Sequence, residues 1–184
     1  MSAAIMAQAG LQQAGHVYWV TGLAGAGKTT IGTALHQRLL EAGRRAVLLD
    51  GDRLREVFGG QHGYSVEERR HLAMCYARLC RMLADQGADV VCATVSMFNA
   101  VRQWNRDHIA GYREIYIVAP EDHLFERRAF YSDHTASHDV VGLNPAYELP
   151  TNPHVLVQND GRHTPEQLAE QILSALDNHR PSQA

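Results

Sequence analysis

The chain predicts an α/β fold with a central parallel sheet flanked by helices, and three observations carry that reading. Strand-like and helix-like runs alternate along its 184 residues, the pattern of a parallel sheet with helical crossovers. Gly22-Leu23-Ala24-Gly25-Ala26-Gly27-Lys28-Thr29 fits G-x-x-x-x-G-K-S/T, the phosphate-cradling P-loop, and it falls between a strand and a helix. Ala88 to Thr94 is a near-continuous apolar run, as a central strand covered on both faces requires. Together they specify a P-loop NTPase fold.

The elements follow in order. His16-Val17-Tyr18-Trp19-Val20-Thr21 is β-branched and aromatic and makes the first strand. Lys28 to Glu41 carries Ile31, Leu35 and Leu39 at helical spacing. Arg45 to Leu49 is the second strand and ends at Asp50. Val66 to Gln86 is a long helix, with Leu72, Cys75, Leu79, Met82 and Leu83 at three- and four-residue steps and Gly87 at its end. After the apolar third strand, Glu114 to Ala119 is the fourth, stopped by Pro120, and His154 to Val157 is the last. Thr164 is a good N-cap and Pro165 suits the first position of a C-terminal helix with Leu168, Ile172 and Leu176 inward. The order is strand, helix, strand, helix, strand, helix, strand, and then another such pair.

Composition narrows the class. A net charge of −3 offers no broad basic field for nucleic acid or an anionic membrane. No apolar run approaches the roughly 20 residues that span a bilayer. Cys75, Cys80 and Cys92 form no C-x-x-C pair and read as reduced core residues of a cytoplasmic protein. His134 and His138 are four apart but lack a third ligand, so no zinc site is expected there. Residues 1–15 are rich in Ala and Gln and read as a tail; residues 16–184 form one domain. Within it, the stretch from about 121 to 150 is polar, weakly periodic and long enough to serve as a short lid that excludes water from a reacting phosphoryl group.

The chemistry sits at the carboxyl ends of the strands, where open α/β sheets bind ligands. Backbone N–H groups of Gly22, Gly25, Ala26 and Gly27, with Lys28, Thr29 and Thr30, would hold the phosphates of ATP at a helix N-terminus. Lys28 would reach the β- and γ-phosphates, and the Thr29 hydroxyl would bind Mg²⁺. After the second strand come Asp50 and Asp52, two carboxylates one residue apart. Phosphoryl transfer to an alcohol needs a metal and a group that orients the acceptor hydroxyl. Asp52 is assigned to the acceptor and Asp50 to the metal's water shell, and the residue pattern leaves open which is which. Arg55 would grip an anionic acceptor with its planar fork. The guanine-reading N-K-x-D of switch GTPases does not occur.

These motifs together resemble the adenylylsulfate kinases. The matching parts are Gly22 to Thr30, Leu49-Asp50-Gly51-Asp52-Arg53-Leu54-Arg55, and Gly63-Tyr64-Ser65 followed by Arg69, similar to G-F-S-x-x-x-R. Ser96 closes the third strand as in the family's I-S-P, Arg127-Arg128 resembles the start of its lid, and Gly142-Leu143-Asn144 through Tyr147-Glu148-Leu149-Pro150 resembles G-I-D-x-P-Y-E-x-P. The resemblance implies transfer of the ATP γ-phosphate to a ribose 3′-hydroxyl of a small nucleotide, and a homodimer. It implies that Arg55 and Arg69 bind the acceptor's anion, that Tyr64 stacks on its base, that Ser96 lies near phosphates or acceptor, and that Arg127 approaches the donor.

Departures from the family collect in the acceptor pocket. The lid lysine is missing from Arg127-Arg128-Ala129-Phe130-Tyr131-Ser132, the second stacking aromatic is Val140, and the asparagine expected after Arg69 is Leu72. Base stacking is worth about 1–3 kcal/mol, so half a clamp signals weaker adenylylsulfate binding or another base. One branch of the family acts on cytidine diphosphoramidate in surface-polysaccharide pathways. Ser96-Met97-Phe98 with Trp104-Asn105-Arg106 is similar to that branch, although Phe98 and Trp104 also suit a core. A P-loop module that binds nucleotide without transfer is the remaining alternative.

Overall fold

The computed structural model describes residues 14–58, 65–121, 124 and 147–178. Five strands, β1 (Val17–Gly22), β2 (Ala46–Asp50), β3 (Asp89–Ala93), β4 (Tyr112–Val118) and β5 (Val155–Gln158), form one sheet in the order β2-β3-β1-β4-β5. Every neighbouring pair is parallel. Among the described residues five helices are bounded: α1 (Lys28–Glu41), α2 (Gly51–Val57), α3 (Val66–Asp85), α4 (Asn99–His108) and α5 (Pro165–Asn178).

Strand β1 lies at the centre, and all six of its residues are buried. Successive side chains point to opposite faces, and the two hydrophobic clusters divide accordingly. Tyr18 and Val20 join Leu35 and Leu39 of α1 and Leu168 and Ile172 of α5. Val17 and Trp19 join Leu72 and Tyr76 of α3 and Val101 of α4. The sheet is therefore covered on both faces, which is why β3 reads as Asp-Val-Val-Cys-Ala without polar alternation.

The α1 bounds match the periodicity, and the strand ends shift by one or two residues from the sequence reading. Two helices had no sequence bounds. Helix α2 has only seven residues, too short for periodicity to show. Helix α4, the third helix of the alternation, buries Val101 together with Arg102 and Asn105. Its ten residues offer only Ala100, Val101 and Trp104 as apolar positions, little for periodicity to mark. Of the three cysteines, Cys80 and Cys92 are buried, Cys75 is half-buried, and all are free thiols. No described helix is long and apolar enough to cross a membrane.

Opposite the P-loop end, Asp89 is a buried hub. It accepts from the His16 backbone N–H at 2.8 Å and from Arg44 Nη2 at 2.9 Å. Burial works against the charged carboxyl, but the His16 hydrogen bonds and the Arg44 guanidinium hold its pKa below the usual carboxylate value. A lowered folded pKa stabilises above the unfolded value of about 3.9 and fades as pH falls through the folded one. We predict that Asp89→Asn lowers Tm at pH 7 by roughly 4–8 °C, from about 2 kcal/mol for a buried charge-assisted pair. Thermal melts should show the gap to the parent protein narrowing as pH falls below the usual carboxylate value; a gap that stays constant through that acid range would contradict the assignment.

Candidate active site

The P-loop joins β1 to α1, and its backbone explains its glycines. Gly22 has φ +156°, and a Cβ there would lie 2.4 Å from the Ile117 carbonyl of β4. Gly27 caps α1 in the left-handed region at φ 94°, with no side-chain cap. The first-turn N–H groups of α1 thus face the loop, where an anion is stabilised by them and by the helix dipole. Lys28 folds back over the loop, its Nζ donating to the Leu23 carbonyl at 2.9 Å. Thr29 and Thr30 are exposed on the first turn.

Asp50 ends β2 and connects this loop to the next helix. Its Oδ2 accepts from the Thr29 hydroxyl at 2.8 Å. Its Oδ1 accepts from the backbone N–H of Asp52 at 3.0 Å and of Arg53 at 3.3 Å, capping α2. The motif Asp-Gly-Asp is thus a helix start as well as a charged site. Asp52 and Arg55 lie on α2 and line a cleft.

That cleft, about 460 Å³ including its open mouth, brings Asp52, Arg55, Arg69 and Ser96 together with Leu72, Phe98 and Tyr147. Arg69 enters it because of a helix cap. Ser65 and Glu68 form a reciprocal capping box that fixes the start of α3, and Arg69 follows one turn in. The Arg69 guanidinium donates to the Tyr147 hydroxyl at 2.6 Å. Ser96 is buried, its hydroxyl 2.8 Å from that of Thr94. Thr21 of β1 donates to the Val95 carbonyl at 2.7 Å and ties this segment to the P-loop strand. Burial pushes the Tyr76 phenol up to about 12 against the pull of Arg55, so it stays a neutral donor in the cleft wall.

Leu72, which stands where the resembled family has asparagine, is buried in this wall. Phe98 also lines it while belonging to the core. Trp104 does not: its ring stacks on His108 at 4.5 Å. Arg106 pairs with Glu114 and donates to the Asn152 carbonyl at 3.1 Å. Tyr64, Arg127, Val140, His134 and His138 lie outside the described residues, as does the proposed lid apart from Glu121, Leu124 and Tyr147–Pro150. Among the described residues no cluster of three His, Cys, Asp or Glu forms a metal cage.

Sequence reasoning quoted Tyr147 in the Tyr147-Glu148-Leu149-Pro150 match without giving it a role, and gave Asn159 none. Asn159 follows β5 and its Nδ2 donates to the Ala26 carbonyl at 2.8 Å, holding the P-loop from the far side. The available signal was its position at a strand's carboxyl end.

A family model described as adenylylsulphate kinase matches residues 14–158. The chain belongs to the adenylylsulphate kinase family. It is 34% identical to the cytidine diphosphoramidate kinase of Campylobacter jejuni over 88% of this chain and 96% of that protein. It is 33% identical to the adenylyl-sulfate kinase of Vibrio cholerae over 90% of this chain and 79% of that one. Among solved structures, the adenylylsulfate kinase of Mycobacterium tuberculosis, in complex with AMPPNP and adenylylsulfate, superposes with TM-score 0.78. That alignment has 25% identity and covers 89% of this chain and 98% of the other. The protein is a P-loop kinase, a phosphotransferase of this family.

Losing the Asn159 bond leaves the Ala26 carbonyl without that partner and frees the loop. Asn159→Ala should weaken binding of a nonhydrolysable ATP analogue about ten-fold, as one hydrogen bond of about 1–1.5 kcal/mol implies. Isothermal titration checks this, and an unchanged Kd would show that Asn159 does not hold the phosphate loop.

Proposed function

We propose that this enzyme transfers the γ-phosphate of ATP to a ribose hydroxyl of a small nucleotide bearing an anionic head, with adenylylsulfate as the first acceptor to consider. The observation that carries the reading is the cleft in which Asp52, Arg55, Arg69 and Ser96 converge, the first two on a helix whose cap, Asp50, also binds Thr29 of the P-loop helix. Lys28 and the N–H groups of Gly22, Gly25, Ala26 and Gly27 hold the donor's phosphates, with Thr30 on the same helix turn. Two arginines on separate helices supply the bidentate donors that a sulfate or phosphate head requires. Asp52 orients the acceptor hydroxyl and takes its proton.

Mg²⁺ fits beside Thr29 and Asp50, whose hydroxyl and carboxylate lie 2.8 Å apart. When bound there it would neutralise charge on the transferring phosphoryl group. Catalysis on this reading is positioning and charge stabilisation rather than covalent chemistry.

A second acceptor, cytidine diphosphoramidate, is supported by two observations. The Campylobacter jejuni relative, aligned over 96% of its length, carries that name. The cleft wall presents Leu72 where adenylylsulfate kinases resemble one another in an asparagine, and Val140 replaces an aromatic. Both acceptors share the arginine-bound anion and differ at the base.

The test is a coupled ADP-release assay with ATP and Mg²⁺, comparing the two acceptors side by side. Turnover on either supports the kinase reading and names the base; turnover on neither points to a different nucleotide acceptor or to a nucleotide-binding module. Lys28→Ala should remove at least about 99% of the rate, and Asp52→Asn should lower kcat by about 10²–10⁴, with both variants melting like the parent. Transfer that survives Lys28→Ala would overturn the P-loop assignment.

A further inference from the structure

Residues 147–154, which begin at Tyr147, form no helix or strand, yet they are fastened at four points. The Glu148 N–H donates to the Met97 carbonyl at 3.0 Å, and the Glu148 carboxylate accepts from the Asn99 N–H at the start of α4. Arg102 reaches the Leu149 carbonyl at 3.4 Å, and Arg106 reaches that of Asn152 at 3.1 Å. Both arginines converge on one residue of β4, Glu114, which is fully buried; Arg102 Nε lies 3.2 Å from its Oε1, and Arg106 pairs with the other oxygen. A buried carboxylate needs such partners, and here each partner also holds the backbone of the same segment.

The outcome is at the cleft. The Tyr147 ring sits 6.2 Å from that of Phe98, and its hydroxyl accepts from Arg69. A free arginine side chain samples many rotamers, and an anion that binds it must restrict them. A hydroxyl already bonded to the guanidinium removes part of that cost before the acceptor arrives.

We propose that Tyr147 is a positioning residue for the acceptor: through its hydroxyl it fixes the Arg69 guanidinium toward the anionic head, and Glu114 with Arg102 and Arg106 holds Tyr147 in place. The inference rests on the acceptor cleft proposed above and adds a residue to it. Tyr147 acts through Arg69 and takes no part in phosphoryl transfer.

The experiment is isothermal titration of the full chain, in the presence of ADP, with adenylylsulfate and with cytidine diphosphoramidate. Tyr147→Phe keeps the ring and removes the hydroxyl. It should weaken the acceptor that the parent binds by about five- to ten-fold, the loss expected for one charge-assisted hydrogen bond acting at one remove. Its Tm and its Kd for a nonhydrolysable ATP analogue should match the parent. In Arg69→Ala the further Tyr147→Phe change should cost nothing more, because the hydroxyl then has no guanidinium to hold. An acceptor Kd unchanged in Tyr147→Phe, or losses that add in the double variant, overturn the inference while leaving the cleft intact. A parent protein that binds neither nucleotide overturns the acceptor reading and this inference with it.

Discussion

One carboxylate joins the P-loop helix to the helix that lines the cleft. Asp50 takes the Thr29 hydroxyl on one oxygen and the first N–H groups of α2 on the other. The P-loop helix and the helix that carries Asp52 and Arg55 are therefore registered to the same side chain, at the end of the same strand. A helix start is fixed by its cap, so the direction of α2 follows from Asp50. The geometry on both sides of the transfer depends on that short link.

The sheet makes the link possible. Parallel strands end together on one side, and β1, β2 and β3 deliver the P-loop, Asp50 and the Thr94–Ser96 segment to the same edge. The central strand is buried on both faces, so apolar packing on two helical layers holds this edge rigid. Polar ties then set the details. Thr21 holds the segment after β3, and Asn159 holds the P-loop from the far side of the sheet.

The far wall of the cleft is built on different physics. It depends on a charged cluster in the interior, where Glu114 gathers two arginines that also clasp irregular backbone. Burial pushes the Glu114 carboxyl above its usual value against the pull of Arg106 and Arg102. Such a cluster adds little net stability, but it admits few alternative arrangements, which suits a wall that must present Tyr147 at one place. The cytidine diphosphoramidate kinase and the adenylyl-sulfate kinase that this chain resembles are 34% and 33% identical to it over 88% and 90% of its length.

The amino-acid sequence by itself determined the α/β class, the P-loop, the span of α1 and the set of charged residues that meet in the cleft. These are local signals: glycine spacing, a β-branched run, a three-to-four-residue apolar period, an N-cap threonine followed by proline. Only the tertiary structure showed that Asp50 caps α2 and binds Thr29 while Asp52 lines the cleft, since two carboxylates one residue apart look alike until the cap separates them. It alone bounded α4, which buries Arg102 and Asn105 beside Val101. It alone revealed the partners of Tyr147 and Asn159, which lie 78 and 133 residues away in the chain. Hydrogen bonds between distant residues carry no periodicity, and they become legible only when folding brings donor and acceptor together.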